Sequence, residues 1–225
     1  MKITFYGHAC FGIEINEIYI LVDPFITGNP KASHIDVNSL KADYILVTHA
    51  HQDHVLDVEK IALNTRATIV SNYEIVNHFV EKKLKGHHLN HGGTFKTEHF
   101  SAKYVHAIHT SSFADGTYGG QPGGFVLTAN NQSIYIAGDT SLTFDMKLIP
   151  MFTNLNAAIL PIGDVFTMGI DEAIVASDFI ECNRIIGCHF NTFPPIEINT
   201  EEAKQKFASK SKELILLEIG SSIEL

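Results

Sequence analysis

Thr48-His49-Ala50-His51-Gln52-Asp53-His54 places four metal-capable side chains within six residues. The segment directly follows Tyr44-Ile45-Leu46-Val47, an apolar run that reads as a buried strand. The cluster therefore leaves the end of a strand, where α/β folds build their sites. His49 and His51, two residues apart, can converge on one ion from an extended or tightly turned loop. Asp53 and His54 then turn away and can serve a second. Neutral imidazole and carboxylate oxygen suit zinc and similar divalent metals. The plain alternative is a polar loop rich in histidine, since the chain carries 13 His. The strand in front and the tight spacing favour a metal motif.

Three later residues repeat the arrangement of one polar group directly after an apolar strand. His109 follows Tyr104 to Ile108, Asp139 follows Ser133 to Ala137 in Gly138-Asp139-Thr140, and His189 follows Arg184 to Cys188. Alone, each is an ordinary strand-end His or turn Asp. Together with the first cluster they make a donor set too large for one tetrahedral ion.

The elements that must position these groups alternate strand and helix in both halves. Strand-like runs cover 3–15, 18–22, 44–48, 67–70, 93–97, 100–108, 124–129, 133–137, 157–160, 184–188 and 214–219, with helices over 55–63, 73–84, 171–181 and 200–209. Asn16-Glu17 and Asn130-Asn131 read as hairpin turns. Two face-to-face sheets with helices outside accommodate this order. At 225 residues the chain is read as one domain, 1–225.

A net charge of -9 disfavours a broad nucleic-acid surface. No apolar stretch approaches the roughly 18 residues of a membrane span, and the amino terminus lacks a signal-peptide pattern. Cys10, Cys182 and Cys188 have no framework spacing. The expectation is a cytoplasmic protein with a small-molecule substrate, no membrane and no nucleic-acid partner; self-association is left open.

The full set, His49, His51, Asp53, His54, His109, Asp139 and His189, resembles the metallo-β-lactamase superfamily, whose first motif is His-x-His-x-Asp-His. The order of the remaining ligands matches too, and the resemblance spans nearly the whole chain. Gly7-His8-Ala9-Cys10, Ala107-Ile108-His109-Thr110-Ser111 and Cys188-His189-Phe190-Asn191-Thr192-Phe193-Pro194 resemble the UPF0173 metal-dependent hydrolases. The resemblance implies an αββα four-layer sandwich of two mixed β-sheets flanked by helices. It also implies two divalent ions, zinc first with manganese or iron as substitutes. His49, His51 and His109 would hold one; Asp53, His54 and His189 the other; Asp139 would bridge. The related diiron flavoproteins carry Glu where this chain has His51, and the best-known zinc β-lactamases carry Cys at the place of Asp139. Redox iron chemistry and antibiotic hydrolysis are thereby disfavoured.

Such a centre acidifies a bound water, and the resulting metal-bound hydroxide attacks an ester, lactone, amide or phosphodiester. Asp53 is expected to bind metal and orient the nucleophile. His8, which interrupts the first strand, is either a catalytic group for the leaving atom or a structural histidine bonded to backbone. Asp23 reads as a turn residue, with a partner of a ligating His as the alternative. Tyr118 and the glycines after it read as a loop over the site or a simple strand connection. His87, His88 and His91 read as a solvated turn. Two further readings stand beside the hydrolase: a metal-stabilised binding or regulatory protein with little turnover, and a nuclease of the same superfamily, although the chain lacks that group's basic arm.

Overall fold

The chain opens on three antiparallel strands, β1 (Lys2–Gly7), β2 (Cys10–Ile15) and β3 (Ile18–Val22). The computed structural model describes residues 1–225. Buried positions alternate along β1, the pattern of a strand with one face on the core. Asn16 and Glu17 join β2 to β3 with φ of 48° and 65°, the left-handed pair that a two-residue hairpin requires. The sheet then continues in parallel through β4 (Tyr44–Leu46), β5 (Thr68–Asn72) and β6 (Gly86–Leu89). Three helices lie between these strands: α1 (Gln52–Val55), α2 (Val58–Thr65) and α3 (Tyr73–Glu81). The Asn72 side chain caps α3 by accepting from the Ile75 N–H.

The second sheet contains β7 (Thr94–Lys96), β8 (Ser101–His106), β9 (Gly123–Ala129), β10 (Gln132–Ile136), β11 (Ala157–Pro161), β12 (Arg184–Cys188) and β13 (Glu213–Ile215). All five residues of β11 are buried, because a central parallel strand is covered on both faces. Helices α4 (Ile170–Phe179) and α5 (Thr200–Ser209) cover this sheet. The chain ends with β14 (Ser222–Glu224), which returns to pair antiparallel with β1. Each sheet thus has seven strands, ordered β14-β1-β2-β3-β4-β5-β6 and β13-β12-β11-β10-β9-β8-β7.

Three apolar clusters hold the layers. Phe11, Ile13, Val22, Leu46, Tyr104, Phe125 and Ile159 meet between the sheets. Ile45, Val47, Ile61, Ile75 and Phe79 join the first sheet to α2 and α3. Tyr135, Leu160, Ala173, Ala176, Ile185 and Phe207 join the second to α4 and α5. This is the four-layer αββα sandwich.

Several local expectations change. The run 3–15 is two strands, broken where Gly7 and His8 take φ of 104° and 56°; His8 sits on the turn rather than within a strand. The helix expected over 55–63 is two pieces, with Asp53 and His54 inside α1. Between the pieces Asp57 turns inward and accepts from Ile26 N, Thr27 N and Thr27 Oγ1. His87 and His88 lie on β6, not in a turn. The last strand expected over 214–219 stops at Ile215; residues 216–221 lie outside any strand, and β14 begins only at Ser222.

The sheet directions decide where the polar groups emerge. β8 and β10 are both antiparallel to β9, while β11 and β12 run parallel to β10. The chain therefore leaves β8, β10 and β12 at one edge, carrying His109, Asp139 and His189 there. Thr48, just beyond β4, meets the same edge from the first sheet. Its carbonyl accepts from Gly123 N at 3.1 Å and Tyr104 OH at 2.9 Å.

Candidate metal centre

His49 and His51 stand on the extended link between β4 and α1, where residues two apart share a face. His49 Nε2 lies 3.1 Å from His51 Nδ1, and His109 Nε2 lies 3.2 Å from the same atom. Three ring nitrogens thus converge. Asp53 and His54, one helical turn further, gather with His189 and His8 in a second group. His189 follows β12 with φ of 54°, and its N–H donates to the His8 carbonyl at 2.8 Å.

Asp139 stands between the groups. Its Oδ1 is 3.3 Å from His54 Nε2, while its Oδ2 is 3.1 Å from His189 Nε2, 3.6 Å from His109 Nε2 and 3.8 Å from His49 Nε2. Gly138 makes this approach possible: a Cβ there would come within 2.7 Å of the Thr48 side chain, and its φ is +64°. The seven residues expected as ligands are therefore brought together without exception.

These donors are close but mostly not bonded to one another. His54 Nε2, Asp139 Oδ1 and both ring nitrogens of His189 are buried without a hydrogen-bond partner. Buried polar atoms are seldom left so. Lone pairs gathered at shared space are what a divalent cation satisfies, and imidazole with carboxylate is a donor set for zinc or a similar ion.

Asp23 is the residue that sequence reading undervalued. It is buried, and its Oδ2 accepts from His54 Nδ1 at 2.9 Å and from Thr48 Oγ1 at 2.6 Å. Its Oδ1 accepts from Thr48 N at 2.8 Å. With its proton directed to Asp23, the Thr48 hydroxyl accepts from His49 Nδ1 at 3.0 Å. One carboxylate thereby places the protons of two rings on Nδ1 and leaves both Nε2 lone pairs facing the cluster. The signal available in sequence was only an Asp at a strand end before Pro24.

His8 is also buried, with Nε2 3.0 Å from Asp53 Oδ2 and Nδ1 2.9 Å from Thr192 Oγ1. Burial pushes its pKa down to about 4, so the ring is neutral and donates to Asp53. The glycine-rich stretch after Tyr118 is tied down. Asn72 Nδ2 donates to the carbonyls of Gly119 and Gln121, and Ser111 Oγ donates to that of Gly119. It is a strand connection.

The electrostatics answer to the carboxylates. Burial alone would lower the His54 pKa, but Asp139 and Asp23 raise it well above the ordinary value. Burial likewise opposes His189, and Asp139 and Asp53 lift it to about 9. For Asp139 burial would raise the pKa, and His54 and His189 hold it well below the carboxylate range. His49, desolvated among other histidines, is lowered well below its usual value. Positive charge is thus favoured at His54 and His189, beside the carboxylates, and disfavoured at His49.

The chain matches the description of the β-lactamase superfamily domain over residues 2–189. It is 64% identical over 226 residues to a UPF0173 metal-dependent hydrolase of Christiangramia forsetii, covering all of both chains. It is a metal-dependent hydrolase of the β-lactamase superfamily. This hydrolase is also 37% identical over 230 residues to a UPF0173 metal-dependent hydrolase of Bacillus cereus, again across both full lengths. Among solved structures it is similar to Igni18, a metallo hydrolase of Ignicoccus hospitalis. The TM-score is 0.90 with 32% identity over 99% of this chain and 97% of that one. The metallo-β-lactamase fold protein YhfI of Bacillus subtilis shares the fold, with a TM-score of 0.76 at 14% identity over 99% and 98% of the two chains.

Proposed function

We propose that this hydrolase works with two divalent ions, zinc first, and cleaves an ester-type bond of a small molecule by direct attack of water. The observation that carries the reading is the division of the donors into two groups that share Asp139, one oxygen toward His54 and the other toward His189, His109 and His49. His49, His51 and His109 would hold one ion; Asp53, His54 and His189 the other. When bound, such ions supply Lewis acidity and lower the pKa of water toward neutrality.

The chain's own residues prepare that chemistry. Asp139 fixes the separation of the two groups. Asp23 and Thr48 hold the tautomers of His49 and His54. Asp53 is the most open of the acids, its side chain 32% exposed. Its Oδ2 takes the His8 hydrogen bond, and Oδ1 has no protein partner. Burial would raise the Asp53 pKa, but His189 and His8 hold it well below the carboxylate range. Asp53 therefore stays an anion and orients the attacking water by accepting its hydrogen bond, while the proton the water gives up passes to the departing alcohol oxygen as the carbon–oxygen bond breaks. His8, shut away with both nitrogens engaged, positions Asp53. Cys10, Cys182 and Cys188 are free and buried, in keeping with a reducing cytoplasm. No helix is long and apolar enough to cross a membrane.

Elemental analysis of protein purified without chelator tests the reading. Close to two equivalents of divalent metal are expected. One equivalent that cannot be raised by titration would refute the paired centre, and none at all would refute the metal site.

A further inference from the structure

The turn between β11 and α4 is unusual in conformation and in what it presents. Asp164 and Val165 both adopt left-handed φ, 62° and 58°. For a β-branched residue this is a genuine outlier, and strain of this kind persists where surrounding structure enforces it, commonly at ligand sites. Here the enforcement is visible. Val165 N donates to Asp164 Oδ1 at 2.7 Å, Asp164 N to the Met168 carbonyl at 3.1 Å, and Met168 N to the Thr140 carbonyl at 3.0 Å. The turn is a fixed shape, not a loose lid.

Its place in the fold is set by two contacts. Thr140 is the neighbour of Asp139. At the other end of the turn, Gly163 packs so tightly on the His189 carbonyl that a Cβ there would collide with it. The turn thus rises between the ligand that joins the two groups and the ligand that closes the second. At its tip, Val165 is 63% and Phe166 56% exposed. Ile108, next to His109, is 49% exposed, and its backbone is bonded to the same stretch as the turn: its N–H donates to Thr140 Oγ1 and its carbonyl accepts from Ser141 N. Three large, exposed apolar side chains thus stand on segments bonded to Thr140 and Ser141, next to Asp139. The charge pattern agrees. Every hydrogen bond and ion pair of the seven ligand side chains goes to His, Asp or Thr, and none to Lys or Arg. A site for a phosphorylated or otherwise polyanionic substrate would place such cations at its rim.

We infer that Val165, Phe166 and Ile108 form a preformed apolar seat for the acyl portion of the substrate, and that the substrate is an uncharged carboxylic ester or lactone with an apolar body. This rests on the proposed ester-type hydrolysis at the paired metal centre. A rigid seat selects by chain length, because each methylene that reaches it gains hydrophobic contact. Phe166, at the tip, carries much of that selection.

The experiment compares p-nitrophenyl acetate and p-nitrophenyl octanoate on the metal-loaded full chain. The wild type is expected to favour octanoyl over acetyl in kcat/KM by about tenfold or more, and Phe166→Ala to cut that ratio about tenfold, with Phe166→Leu restoring most of it. Phe152→Ala is the control. Phe152 is 75% exposed, but it precedes β11, at the opposite end of the strand from the metals. Calorimetric binding of octanoate gives a readout independent of turnover, and Phe166→Ala should weaken it by a similar factor. A chain-length ratio that Phe166→Ala leaves intact, or that Phe152→Ala changes equally, overturns the inference. If the loaded wild type cleaves no ester, ester hydrolysis itself fails as a reading. Octanoate binding then decides the seat: weakened by Phe166→Ala it stands, equal in both proteins it falls.

Discussion

Replacing Asp23 by Asn should loosen the metal centre without touching a ligand. Asp23 already sits at φ of 43°, a conformation Asn tolerates well, so the backbone is not the variable. The change is in the protons. The Asn oxygen can keep the Thr48 N–H bond, but the NH2 group then takes the place of Oδ2. Oδ2 now accepts from both His54 Nδ1 and Thr48 Oγ1, and an NH2 group accepts from neither. His54 can relieve the clash only by moving its proton to Nε2, which removes the lone pair facing the cluster. Thr48 can relieve it by turning its hydrogen toward His49 Nδ1, which forces the same exchange on His49. A buried donor left facing a donor costs about 1–3 kcal/mol. That corresponds to a loss of roughly 5- to 150-fold in metal affinity, in line with the 10- to 100-fold typical of lost outer partners. Competition with a coloured chelator measures it, and thermal unfolding of the metal-free protein reports any general damage. Wild-type affinity in a normally folded Asp23→Asn protein would show that the tautomers are set by something other than Asp23.

Asp139→Ala should reduce bound metal below one equivalent, while His109→Ala should mainly weaken one site; equal stoichiometry in the two variants would remove Asp139 from its bridging role. The metal-free protein should lose thermal stability as pH rises. His189 has a folded pKa of about 9 against an ordinary value of 6.5, so its contribution is full below about 6.5 and lost through about 9. Melting curves at pH 6 and 9.5 check the sign, and the metal-loaded protein should lack this drop. His8→Asn, chosen because His8 has φ of 56°, should lower turnover tenfold or more by releasing Asp53 while the pH–rate profile keeps its shape. Loss of the alkaline limb alone would instead identify His8 as the acid for the leaving group.

What could be read from sequence depended on how local the determinant was. The candidate ligands were legible because each stands directly after an apolar strand and the first four share one short motif. The hairpin at Asn130-Asn131 and helix α5 were legible because turn and cap lie within a few residues; Asn130 and Asn131 have φ of 50° and 60°, and Asn199 caps α5 on the N–H groups of Glu201 and Glu202. Asp23 was not, since its partners Thr48 and His54 lie 25 and 31 positions away. The division of α1 from α2 depends on Asp57 bonding to Ile26 and Thr27, again a long-range event. His8 showed its polarity but not its burial, because the residues that cover it, Phe25, Thr192 and Phe193, come from distant loops.

The candidate ligands are drawn from both sheets. His49 to His54 hang from the first, while His109, Asp139 and His189 hang from the second. An ion seated among them is a rivet through the sandwich, and the folded state inherits the ion's binding energy. At a free metal concentration one hundred times the dissociation constant, that amounts to about 2.7 kcal/mol, a large share of a typical domain's net stability. Starved of metal, such a protein would be both idle and more readily unfolded, so its abundance would track the cell's metal supply, and idle apoprotein would be cleared rather than accumulate.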